Sequence, residues 1–190
     1  METPEWTAAD EHILERASAL IAARGAARLT IAELAREARV SRPTIYRRWA
    51  SADHVVREVL LRQVVLILRE LDPEVSTRDQ LVDETLQFAD LFRDDPVFGR
   101  LLTSEPAIFT QYSFERIGSS QQVLLGFLAA AITRTQSGGT VRPGDARDIS
   151  VMLLLIVQSA VLSHQAVSSL IGETEWRTEL RRALDGYLRP

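Results

Sequence analysis

Apolar residues in this chain recur every three or four positions almost from end to end, and no stretch keeps the alternation of two that a half-buried strand needs. Such a pattern buries helix against helix, so the expected fold class is all-α. The 190 residues leave room for one generous domain, or for a small module carried on a larger one. Thr7, with Asp10 three residues on, reads as the cap of a first helix whose stripe is Ile13, Leu14, Ala17, Leu20 and Ile21, and Gly25 ends it. Thr30-Ile31-Ala32-Glu33 reads as a capping box, and Ile31, Leu34, Ala35 and Ala38 give the helix behind it one apolar face. Three residues later Ser41 caps a third helix over residues 42–49, where Pro43 is tolerated because first-turn amides have no helical partner to lose. A fourth helix is expected over 53–71, and others near 77–93, 96–103, 107–136, 145–170 and 174–188, set apart by Asp94-Asp95-Pro96, Glu105-Pro106 and Ser137-Gly138-Gly139. The expected architecture is an N-terminal three-helix head over residues 1–52 and a larger helical body over residues 53–190.

Charge separates the same two parts. Residues 1–50 hold 8 Arg against 7 acidic residues, while residues 51–190 hold 14 Arg against 19. Six of the head's arginines fall between positions 28 and 49, beside only Glu33 and Glu37, so a small basic segment rides on an acidic body. All 22 basic residues are Arg, with no Lys and no Asn, a pattern read as coding bias.

Two short helices separated by three residues, the second rich in Arg and Thr, have the form of a helix-turn-helix. At 100° per residue Ile45 and Trp49 share one side of the second helix, and the opposite side is centred on Arg47 with Pro43 and Thr44 beside it. Arg can bond guanine O6 and N7 in bidentate fashion, and Thr can meet a base edge or a thymine methyl in the major groove. Tyr46 and Arg48 flank that face, where phosphates would lie and fix position without reading sequence.

The run Leu29-Thr30-Ile31-Ala32-Glu33-Leu34-Ala35, followed by Val40-Ser41-Arg42-Pro43-Thr44-Ile45-Tyr46-Arg47-Arg48-Trp49, closely resembles the DNA-binding head of the TetR family of bacterial transcriptional regulators. The resemblance spans roughly residues 10–60 and implies a homodimer on a palindromic operator, usually a repressor that leaves DNA when a small molecule enters the body. It implies that Arg42, Pro43, Thr44 and Arg47 approach bases and that Thr30 and Tyr46 contact phosphates. Ser41 is added to the phosphate set. Two positions depart from the pattern: Arg39 stands where the turn usually has Gly, and Ala52 where the fourth helix usually begins with Lys. Ala52 cannot hold a phosphate as that Lys would, and Arg39 and Arg48 are read as its replacements. A left-handed Arg39 would carry strain of order 1 kcal/mol.

All six Phe lie between positions 88 and 127. Phe88, Phe92, Phe109 and Phe127, with Gln111, Tyr112 and His164, are the expected lining of an effector pocket, since such pockets are mostly apolar with a few orienting polar groups. Residues 149–162 are apolar around almost the whole helix, which demands cover on every side. The last helix has a continuous stripe. The expected dimer interface is therefore Ile149, Leu153, Ile156, Val157 and Ala160 with Trp176, Leu180, Leu184 and Tyr187, paired across a twofold axis as a four-helix bundle.

The absence of cysteine excludes disulfides, thiolate metal sites and a cysteine nucleophile. His12, His54 and His164 are scattered, and no zinc-protease, nucleophile-elbow or phosphate-loop motif occurs, so no catalytic residue, metal or cofactor is expected. The longest apolar runs, residues 123–132 and 151–157, fall short of the roughly 18 residues that cross a bilayer, and residues 1–5 do not begin a secretory signal. A cytoplasmic protein without membrane partner is expected. A rival expectation is a helical adaptor whose helix-turn-helix contacts protein; a second is an activator without effector.

Overall fold

The computed structural model describes residues 4–114 and 118–190, with the side chains of 111–114 left aside. Its helices are α1 (Ala8–Arg24), α2 (Ile31–Glu37), α3 (Arg42–Tyr46), α4 (Ala52–Arg69), α5 (Arg78–Asp94), α6 (Pro96–Ser104), α7 (Pro106–Phe114), α8 (Ser119–Ser137), α9 (Ala146–Val167) and α10 (Glu173–Leu188), with a 3-10 turn at Ala26–Arg28. Among the described residues there is no strand, and the fold is all-α, as the spacing requires.

Caps place these helices. The Thr7 hydroxyl accepts from the Asp10 amide at 3.2 Å while Asp10 accepts from the Thr7 amide at 3.1 Å, a closed capping box. Only half of the second box forms, because Thr30 accepts from the Glu33 amide but the Glu33 carboxylate turns to Arg24. The single helix expected over residues 107–136 is two, α7 and α8. At the start of α8 the Gln121 side chain accepts from the Gly118 amide at 2.9 Å, the return arm of a cap on Gly118, which carries no side chain to announce it. The third helix is shorter than expected, ending at Tyr46.

The chain forms two compact units by its contacts. One comprises residues 2–66 and 92–123, the other residues 67–91 and 124–190. These units do not follow the division at Ala52 expected for function.

In the first unit α1 packs most extensively on α6. Its core includes Ile13, Leu14, Ile21, Leu34, Ile45 and Leu101, all essentially without solvent contact. The helix α6 is tied at both ends. Asp95 caps it with one carboxylate oxygen, accepting from Val97 and Phe98, and accepts with the other from the Gln63 amide group of α4 at 2.6 Å. At the far end Glu105 accepts from the backbone amides of Ala26 at 2.6 Å and Ala27 at 3.2 Å. Phe92 stacks on Phe98 at 3.9 Å, and Phe109 stands edge-on to Phe92 at 6.0 Å.

In the second unit α9 packs on α10. Arg78 at the start of α5 pairs with Asp185 of α10 at 2.6 Å. The hydrogen bond from Arg189 does most to hold the Asp185 carboxyl below its ordinary value; burial opposes it, and Arg78 adds to it. By length and a mean hydropathy of 1.6, α9 would suffice to cross a membrane, and a third of that window is buried within the chain. The unbroken apolar runs fall short of that length because Ser150, Gln158 and Ser159 interrupt them.

Candidate nucleic-acid interface

The turn between α2 and α3 sets the interface. Ala38 ends α2, and the amides of Arg39 and Val40 return to the carbonyls of Arg36 and Ala35 at 3.2 and 3.0 Å, the paired closure of a Schellman motif. That motif needs a left-handed residue, and Arg39 supplies it with φ of 54°, the one non-glycine residue with positive φ among those described. A side chain in that region costs about 1–2 kcal/mol, of which roughly half is offset by the greater backbone entropy of an unfolded glycine. Arg39→Gly is expected to raise the unfolding free energy by about 0.5–1 kcal/mol in urea titration. An unchanged or lowered midpoint would show that the Arg39 side chain stabilises the turn by contacts of its own.

Ser41 then caps α3. Its hydroxyl accepts from the Thr44 amide at 3.3 Å and lies 2.8 Å from the Thr44 hydroxyl. Helical hydrogen bonding runs past the end of α3, with the Trp49 amide donating to the Ile45 carbonyl at 2.9 Å. Ile45 and Trp49 are buried as the spacing requires, while Arg42, Pro43, Tyr46 and Arg47 are exposed and Thr44 half-exposed. Tyr46 keeps 53% of its surface in solvent, which for an aromatic side chain is a ring left standing outward. The residues expected to approach bases thus share one open face, with Tyr46 beside them.

The expected phosphate set is less uniform. Thr30, exposed at the start of α2, uses its oxygen to cap Glu33 and keeps a hydroxyl proton to donate. The Ser41 hydroxyl is engaged as a cap. Arg48 pairs with Asp10 at 2.9 Å, the same carboxylate that closes the capping box of α1, so its charge is partly answered inside the protein. Spacing gives no sign of that link, because Asp10 lies on α1 and Arg48 in the turn that follows α3. Arg39 is exposed and has no ion-pair partner among the described residues.

The expected pocket residues with described side chains do not all line one cavity. Phe88 and Phe127 line a cavity in the second unit with Leu71, Val75, Leu124, Leu128 and Val157, and its open space of about 20 Å³ holds one or two waters. Phe92 and Phe109 belong instead to the aromatic cluster with Phe98 in the first unit. His164 meets Glu173 at 2.6 Å and stands edge-on to Trp176, away from that cavity lining. Gln111 and Tyr112 fall outside the described side chains.

The expected dimer residues divide between the chain's own core and an open groove, which Ile156, Ala160, Trp176 and Leu180 help to line. Ile149, Leu153 and Leu184 are fully covered by their own chain, and Val157, Trp176 and Leu180 nearly so. Tyr187 is engaged internally, its hydroxyl accepting from Arg142 at 2.8 Å. The apolar surface left open on α9 is the neighbouring face, with Met152 at 47% and Leu155 at 46% exposed. Beside it Leu155, Ile156, Ser159, Ala160, Leu180 and Ala183 line a shallow groove of about 580 Å³. A helical stripe tells that a face is buried but not by what, and here the chain's own body takes part of the stripe.

A short capped helix with its apolar side sunk and its arginines outward, behind a three-residue turn, defines a helix-turn-helix protein. The family model for bacterial regulatory proteins of the TetR type matches residues 13–59. Helix-turn-helix-type transcriptional regulators of Mycobacterium bovis and of Mycobacterium tuberculosis are each 41% identical over 176 residues, covering 93% of this chain and 92% of theirs. Among solved structures, the TetR regulator TylP of Streptomyces fradiae aligns at a TM-score of 0.63 and 24% identity over 96% of this chain and 87% of its own. The transcriptional regulator FadR of Bacillus subtilis, solved with stearoyl-CoA, aligns at 0.65 and 16% identity over 94% and 97%. The chain belongs to the TetR family of transcriptional regulators.

Proposed function

We propose that this regulator is a repressor, held as a homodimer on a palindromic operator and released when a small molecule enters its body. The observation that carries the DNA part is the open face of α3, where Arg42, Pro43, Thr44 and Arg47 stand together above a buried Ile45. In this reading those four read bases, and Thr30, Arg39, Ser41, Tyr46 and Arg48 meet phosphates, Ser41 through its backbone and Arg48 only as far as it leaves Asp10. Residues 1–52 do the binding to DNA and residues 53–190 the dimerisation and effector binding. Two copies of α3 enter successive major grooves about 34–36 Å apart. The effector weakens DNA binding only as far as it prefers the state in which that spacing is lost.

The lining of the cavity supports an effector with a hydrocarbon-rich part. Of its residues only Glu84 and Thr85 are polar, and the Thr85 hydroxyl already donates to the Leu81 carbonyl at 2.6 Å. FadR of B. subtilis, alike in fold, was solved with stearoyl-CoA, a ligand with a long hydrocarbon part joined to a charged one. Since the cavity takes only a water or two, entry of such a molecule requires the side chains of Phe88 and Phe127 to move.

Fluorescence anisotropy with DNA flanking the protein's own coding region, set against unrelated DNA, tests the reading. Tight binding to one palindromic fragment is expected, weakened about 30-fold or more by Arg47→Ala, the equivalent of about 2–6 kcal/mol for removal of one bidentate base pairing from each protomer. Tyr46→Phe is expected to weaken all sequences alike, as removal of a phosphate hydrogen bond should. Equal weak binding to every fragment, indifferent to both substitutions, would favour the adaptor.

A further inference from the structure

On α1, His12 and Arg16 sit four residues apart on one exposed face. The His12 Nε2 lies 3.2 Å from the Ala38 carbonyl at the end of α2, which ties that face of α1 to the turn. His12, Arg16, Arg36, Glu37 and Arg39 together line a surface groove of about 600 Å³. Three guanidinium groups stand here against one carboxylate. Arg36 approaches both Glu33 and Glu37 at 3.6 Å, too long for strong pairing, and Glu33 is already shared with Arg24. Among the described residues Arg16 and Arg39 have no ion-pair partner at all.

Arg39 reaches the groove from a left-handed backbone that glycine would adopt without strain, and strain of this kind persists where a side chain is put to use. Arg39 also stands two residues before the Ser41 cap of α3, so the groove adjoins the start of the helix that faces DNA. Like charges that outnumber the carboxylates beside them repel one another, and an anion with several negative centres relieves them.

We propose that this groove is a second phosphate-binding surface, which takes the DNA backbone beside the major groove entered by α3. The partner is the duplex itself, held here through charge and not through sequence, with Arg16, Arg36 and Arg39 each near a phosphate oxygen and Glu37 limiting how closely Arg36 can approach. This proposal rests on the reading of α3 as a DNA-binding helix.

The salt dependence of binding separates the two. With the full-length protein and the fragment from its own flanking DNA that binds most tightly, the logarithm of the association constant is measured against the logarithm of salt concentration. Arg16→Ala and Arg36→Ala are each expected to reduce the magnitude of that slope by about 1.8, as the removal of one phosphate contact from each protomer of the dimer should, while the preference over unrelated DNA stays as it was. Arg16→Lys and Arg36→Lys are expected to keep the slope, since a point charge suffices there. If both alanine proteins keep the parental slope while Arg47→Ala destroys sequence preference, the groove proposal is overturned and the reading of α3 stands. If no protein prefers any sequence and Arg47→Ala changes nothing, both fall. Titration with inorganic pyrophosphate in the absence of DNA distinguishes the other source of phosphate. Saturable binding that Arg16→Ala abolishes, with an unchanged DNA slope, would overturn the assignment to the backbone in favour of a free phosphorylated ligand.

Discussion

A Leu155→Glu protein is expected to sediment as a folded monomer and to bind operator DNA about a hundredfold or more weakly than its parent. Leu155 and Met152 are the large apolar side chains that α9 leaves nearly half in solvent, and the groove with Ile156, Ala160 and Ala183 continues their face. An open apolar surface of that kind marks a docking site, and in the proposed dimer it is covered by the same face of a second copy. A carboxylate set into such an interface loses its hydration without gaining a cation, which costs several kcal/mol. The DNA effect is the larger because in the proposed dimer the two heads would bind as a linked pair, and linkage raises affinity by about 10²–10⁴ over one head alone. Since Leu155 is exposed in the single chain, the monomer should keep its helicity. Sedimentation equilibrium at micromolar protein checks the state. A Leu155→Glu protein that remains dimeric would place the interface elsewhere.

Ile45→Ala is expected to remove about 2–5 kcal/mol of stability, the range for deleting a buried aliphatic side chain that its surroundings cannot refill. Ile45 has no solvent contact, and α3 is only five residues long, too short to hold its shape without tertiary packing. Its sole fully buried side chain is the one removed. Chemical denaturation followed by circular dichroism gives the loss. A change under about 1 kcal/mol would mean that Trp49 and the Ser41 cap carry α3 by themselves. Where the protein remains folded, DNA binding should weaken for every sequence together, because the whole face loses its orientation.

Much of this is legible in the sequence, and what is not shares one cause. Caps and breakers act within four residues, so the beginnings at Thr7, Ser41 and Asp95 and the end at Gly25 can be read from the order of residues. The opposition of Ile45 to Arg47 is likewise a property of one short helix. The failures need distant information. The Glu33 carboxylate leaves its capping box for Arg24, and Ile149, Leu153 and Leu184 of the stripe are already buried within the single chain. Phenylalanines clustered in sequence are sorted into two units by the path of the chain. The division of residues 107–136 at Gly118 escapes the sequence for a different reason: the capping side chain lies inside the helix that it starts.

The tethers on α6 bear on how far this protein is modular. Regulators of one fold invite chimeras, in which the reading head of one is grafted on the sensing body of another, and the obvious seam lies just after α3. A cut there would leave α1 without the helix it packs on most, the amides of Ala26 and Ala27 without the Glu105 carboxylate, and Gln63 facing a foreign residue in place of Asp95. A graft that respects the folding of the donor would carry residues 92–123 with the head, so that the portable piece is discontinuous in the chain.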